Sequence, residues 1–228
     1  MSAFGTRIAA LAAAFVLAGS ISAQAVTVTF LGSSTQGPGN TADVYAPNFN
    51  GTVPDGATFS SDPLVTPPPG NLASVYQSPF NNTPLLGTQT YFSVGAEDGD
   101  GDGALSPVTL TYTTDQSTFT ILWGSIDSYN TIEFLDSGGT AIAGGTFTGT
   151  DIISLGGLGG APANFEQVAL IKFDFDSNEL FRSIRFTSTQ AAFEFALPSE
   201  VPAPGAAWLL LGGMLALGAA LRRRNSQA

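Results

Sequence analysis

Between Thr88 and Leu197 the chain is a succession of short runs rich in β-branched and aromatic residues, each closed by turn residues. The runs are Thr90–Val94, Val108–Thr113, Phe119–Trp123, Thr131–Leu135, Thr146–Thr148, Val168–Phe175, Phe181–Ser188 and Ala192–Leu197. Side chains alternate across a strand with a period of two. In the last run this puts Phe193, Phe195 and Leu197 on one face and Glu194 on the other. Ile132 and Phe134 face away from Glu133 in the same way. A further run, Val26–Leu31, alternates Val28 and Phe30 against the threonines and predicts an opening strand. Asp136–Gly139 and Leu155–Gly160 are turn material. No amphipathic helix is predicted between the strands, so the pattern predicts an all-β fold, an antiparallel β-sandwich or jelly roll over residues 26–200.

Within that region the stretch Gly32–Gly87 breaks the pattern. It holds nine of the 14 prolines, including Pro67–Pro69, and no helical period survives that density of breakers. It predicts loops and short edge strands lying over the domain.

Two segments depart from the β period altogether. Met1–Ala25 sets a single basic residue, Arg7, before the apolar run Ile8–Ala18, with Ala23 and Ala25 at the positions a signal peptidase reads. This is the pattern of a cleaved secretory signal peptide, with the mature chain beginning near Val26. At the other end, Gly205–Leu221 is a continuous apolar segment of 17 residues, at the lower limit for a transmembrane helix. Trp208 lies near its outer end, and Arg222, Arg223 and Arg224 close the inner one. Arginines stay on the cytoplasmic side, so the expected topology is ectodomain out, arginines in.

Composition narrows the chemistry. The chain has no cysteine and no histidine, which removes disulfides, thiolate sites, the usual zinc ligand and every Ser-His-Asp arrangement. All 18 acidic residues lie between Asp43 and Glu200, against three basic ones there, Lys172, Arg182 and Arg185, a net charge of −15. Such a surface repels nucleic acid, which needs clustered cations, so no nucleic-acid partner is expected.

The tail then becomes specific. Val201-Pro202-Ala203-Pro204, the apolar span with its Gly212-Gly213 step, and the terminal arginine cluster resemble the PEP-CTERM class of sorting signals, in the variant that carries Val-Pro-Leu-Pro-Ala. Here Ala203 stands where that family has Glu or Leu, and Gly205 where it has Ala. The resemblance implies recognition by exosortase, a membrane-embedded transpeptidase-like protease of Gram-negative bacteria, during export to the surface or extracellular matrix. Its sorting residues would be Val201, Pro202, Pro204 and Arg222–Arg224. The string Leu122–Phe134 is similar to a Trp-Gly-Ser-x-Asp-x-Tyr-Asn block of exosortase-dependent surface proteins, with Thr146–Asp151 and Phe186–Phe195 similar to later blocks. That likeness implies a displayed β-sandwich and no known enzymatic activity. The partners it implies are signal peptidase, exosortase, the membrane through the C-terminal helix, and exopolysaccharide.

Two constellations merit chemistry of their own. Asp98, Asp100 and Asp102 alternate with glycines, and such a turn can set three hard oxygens around one Ca²⁺. The second half of an EF-hand loop is missing, since Thr109 occupies the position of the bidentate Glu, so closure needs distant carboxylates such as Asp127 or Asp136. The same residues equally form an acidic surface turn, and no cofactor is required. Trp123 and Tyr129 are either core residues or an aromatic platform for sugar, the latter making the chain a calcium-assisted lectin. Asp174 and Asp176 are expected to be solvated or matched by Arg182 or Arg185. No pair of acids is marked for glycoside hydrolysis, and no enzyme is expected.

Overall fold

The computed structural model describes residues 26–35, 46–66, 75–80, 85, 87–95, 105–158 and 167–199. The stretch expected to be a signal peptide, the acidic run with Asp98, Asp100 and Asp102, and the tail expected to carry the sorting residues lie outside the described residues. Among those described, no helix is long and apolar enough to cross a membrane.

The predicted all-β class holds. Among the described residues, twelve strands form two antiparallel sheets. They are β1 (Thr27–Thr35), β2 (Phe49–Asn50), β3 (Ala57–Phe59), β4 (Leu64–Thr66), β5 (Tyr91–Val94), β6 (Val108–Gln116), β7 (Thr118–Gly124), β8 (Asn130–Leu135), β9 (Ala141–Thr148), β10 (Gln167–Asp174), β11 (Phe181–Ser188) and β12 (Phe193–Pro198). The larger sheet runs β1-β10-β7-β12-β5-β4, with β2 paired to β12, and the smaller runs β3-β6-β11-β8-β9.

The two sheets share one apolar core, and the period-two pattern says which faces build it. Phe119, Ile121 and Trp123 of β7 and Phe193, Phe195 and Leu197 of β12 point inward from the larger sheet. Val108, Leu110, Phe134, Ile184 and Phe186 answer from the smaller one. The Phe186 and Phe195 rings stack across the layers at 4.3 Å, and Phe119 meets Phe134 edge to face at 5.8 Å. Phenylalanine fills this core because a large ring buries much area with little rotamer entropy to lose.

The outer face of the larger sheet is buried as well. A second cluster sets Ala46, Phe80 and Leu85 against Tyr91, Leu122, Val168 and Ala196. The described parts of the proline-rich stretch thus lie over the domain as short strands and loops. Two covered faces explain why β7 and β12 are buried at nearly every position, where a one-sided strand would alternate.

One helix was not predicted, α1 (Gly149–Gly156). Thr148 caps it: its hydroxyl accepts from the Asp151 amide at 3.2 Å, and the Asp151 carboxylate accepts from the Thr148 amide at 2.8 Å. This reciprocal box starts the helix, Ile152 and Ile153 bury it, and Gly157 at φ 58° ends it. Of the stretch Leu155–Gly160 read as a turn, Leu155 and Gly156 end α1 and Gly157 caps it, while residues 159 and 160 lie outside the described residues.

Of the alternatives for Asp174 and Asp176, solvation holds: Asp176 is exposed and Asp174 partly so. Asp174 pairs with Lys172 on its own strand at 2.7 Å, Arg182 with Asp115 at 2.7 Å, and Arg185 with Glu133, the residue directly opposite it in the ladder. The arginines thus serve neighbouring strands of the smaller sheet, and neither caps Asp174 or Asp176.

Candidate functional site

The Trp-Gly-Ser-x-Asp-x-Tyr-Asn block forms the end of β7, a tight turn and the first residue of β8. Each residue type has a local reason. Trp123 is fully buried, its ring stacked on Phe193 at 4.4 Å. Gly124 lies under Pro79, where an added Cβ would sit 2.7 Å from the proline. Ser125 takes a left-handed conformation, φ 43°, uncommon for a residue with a side chain. Ile126 enters the core, and its amide donates to Gln167 O.

Asn130 ties the turn down. Its Nδ2 donates to Ser125 O at 3.3 Å and Ala192 O at 3.0 Å, and its Oδ1 accepts from Ser188 Oγ at 2.7 Å. One fully buried amide thus joins the turn to the end of β11 and the start of β12. Such a network fixes geometry because each unmet partner costs a desolvated polar group.

Two buried carboxyl groups accompany it. Asp127 is 1% exposed and Glu194 2%. Tyr129, half-buried, faces both Asp127 Oδ2 at 2.8 Å and Ala191 O at 3.1 Å with its one hydroxyl proton. Burial pushes Asp127 up to about 6, against the hydrogen bond from Tyr129, which lowers it. Below that pH a protonated Asp127 can donate to the phenol oxygen and free the phenol proton for Ala191 O. Above it, two acceptors share one proton. Tyr129 itself is held far above the usual phenol range by burial and by the Asp127 carboxylate.

Glu194 points from β12 to the outer face, as its alternation predicts, yet it meets no solvent. Its Oε1 accepts from the Gln77 amide at 2.8 Å, and its Oε2 has no partner among the described residues. Burial raises it well above the ordinary carboxyl range, and the Asp127 charge adds to that.

A cleft of about 410 Å³ opens beside the knot, lined by Val75, Gly95, Ser106 and residues 188–191. Neither carboxyl group lines it. The Ser106 and Ser188 hydroxyls are already bonded internally, Ser106 Oγ to Ser188 O at 2.7 Å and Ser188 Oγ to Gln190 O at 2.6 Å.

Of the two alternatives for Trp123, the structure takes the core: its ring is enclosed, while Tyr129 keeps partial exposure and is held by its hydroxyl. The carboxylates named as distant closers of a calcium site are engaged within the domain. Asp127 is enclosed, and Asp136 Oδ1 accepts from the Gly138 and Thr140 amides of the β8–β9 turn. Among the described residues no three metal-ligating side chains converge. Sequence reasoning missed Asn130, Ser188 and Glu194, because each acquires its role from a segment distant in the chain. No protein-family model, curated protein or solved structure matches this chain.

Proposed function

We propose that this chain is an exported, non-enzymatic β-sandwich protein of the Gram-negative cell surface, delivered by an exosortase-type sorting tail. It serves as a structural or adhesive component of the envelope or exopolysaccharide matrix. One observation carries the proposal: the Val-Pro-x-Pro hinge at Val201–Pro204, the apolar span Gly205–Leu221 and the cluster Arg222–Arg224 occur in that order directly after the domain. One feature of the fold is consistent with it: the motif residues from Trp123 to Asn130 serve an internal knot within an all-β domain. Against the lectin alternative stands Trp123, whose ring is enclosed in the core. The test is the intact mass of the protein recovered from its native cell surface. A species running from near Val26 to Val201–Pro204 supports sorting and release. One retaining Trp208 to Ala228 would overturn the processing claim and leave a single-span anchor.

A further inference from the structure

Glu194 is enclosed, and among the described residues no cation faces it. The groups facing it come from three places. The turn before β8 contributes Asp127 and Tyr129, β5 contributes Tyr91, and the 75–80 segment contributes the Gln77 amide, with Tyr76 beside Tyr91. None is a cation. The chain has no histidine, and between residues 26 and 200 its only cations are Lys172, Arg182 and Arg185. All three pair elsewhere, with Asp174, Asp115 and Glu133. A neutral carboxyl in this site leaves one O–H unmet; an ionised one leaves a whole charge in a dry site facing a second carboxyl, which is far costlier.

The 75–80 segment is the cover of that site. The Gln77 amide bonds Glu194 Oε1, Tyr76 meets Tyr91 edge to face at 6.5 Å, Pro79 presses on Gly124, and Phe80 enters the outer apolar cluster. Lifting it would wet Glu194 and uncover Tyr91, Leu122 and Ala196.

We propose that residues 75–80 are a proton-dependent latch, closed over the outer face of the larger sheet while Glu194 holds its proton and released when Glu194 ionises. The direction follows from the site. Closure favours the protonated acid, so the latch is tight at low pH and loosens as pH rises. The Asp127 carboxylate, when ionised, adds a facing charge that favours the proton on Glu194.

Hydrogen exchange on the full chain in detergent micelles, corrected for intrinsic rates, tests this between pH 5 and 9. The amides of Gln77 and Phe80 should lose protection about tenfold per pH unit above the release point, while those of Ile184 and Phe186 keep theirs. In Glu194→Gln, protection of 75–80 should be flat across the range. In Asp127→Asn the release point should move to lower pH, because the facing charge is gone. Flat protection in the natural chain, an unchanged slope in Glu194→Gln, or an unmoved release point in Asp127→Asn would each overturn the latch. So would restoration of protection at high pH by millimolar calcium chloride, which would make a metal ion the missing partner. Should Glu194→Gln fail to fold, the natural chain and Asp127→Asn still decide.

Discussion

Replacing Asn130 by alanine removes the amide that joins three parts of the chain. Ser125 O and Ala192 O lose their donor inside the protein, whereas Ser188 Oγ keeps Gln190 O at 2.6 Å. Leaving a buried polar group unmet costs about 1–3 kcal/mol, so two carbonyls place the loss at about 3 kcal/mol. For a domain of this size each kcal/mol lowers the melting temperature by about 2–4 °C, giving an expected fall of about 6–12 °C. Thermal melting followed by circular dichroism on the full chain in detergent reads it directly. Ser128→Ala, at an exposed position of the same turn, is the control and should stay within about 0.5 kcal/mol. Asn130→Asp keeps the shape but turns oxygen toward both carbonyls, so its loss should be at least as large at neutral pH and shrink on acidification. A fall below about 2 °C for Asn130→Ala, or one matched by Ser128→Ala, would refute the claim that this amide holds the knot.

Other outcomes follow from neighbouring contacts. Gly149→Ala would drive a Cβ to 2.0 Å from Asp127 O and should abolish cooperative melting, whereas Gly144→Ala, at φ 72° in open space, should cost about 1 kcal/mol; equal losses would contradict the packing. Asp127 has a folded value of about 6 against 3.8 unfolded, so it stabilises the fold below pH 3.8 and loses that contribution as pH rises through 6. Between pH 4 and 8 the natural chain should therefore lose up to about 3 kcal/mol relative to Asp127→Asn, read by denaturant unfolding at each pH, and a constant difference would dismiss the shift. The Arg185–Glu133 pair, with side chains 41% and 21% exposed, should show a coupling below about 1 kcal/mol in a double-mutant cycle.

The strands were legible because their signal is local. Thr131–Leu135 and Phe181–Ser188 are bounded nearly where the structure bounds them, and the inward faces of β8 and β12 follow from alternation alone. The helix was hidden for a physical reason: its eight residues carry three glycine, threonine or aspartate breakers before Ile152, and only the Thr148–Asp151 box betrays it. Trp123 shows the limit for sites. Its alternation with Phe119 and Ile121 places it inward, yet a Trp at a strand end beside a polar turn reads equally as a platform until Phe193 is seen to cover it. Glu194 shows the opposite failure. Alternation turned it outward correctly, and only Gln77, 117 residues away in the chain, makes outward mean buried.

The place of β12 in the sheet has a mechanical consequence. The strand lies between β7 and β5 and carries β2 besides, so the larger sheet stays open down its middle until residue 198 has been delivered. Residues 199–204 then separate the finished sheet from the apolar span, and six extended residues reach at most about 20 Å. On the proposed topology the domain stands against the bilayer without a stalk. On that same proposal, an enzyme cutting at Val201–Pro204 would work in the gap between a folded wall and the lipid surface. Lengthening that spacer, rather than altering the motif, would then set how fast the proposed release from the membrane proceeds.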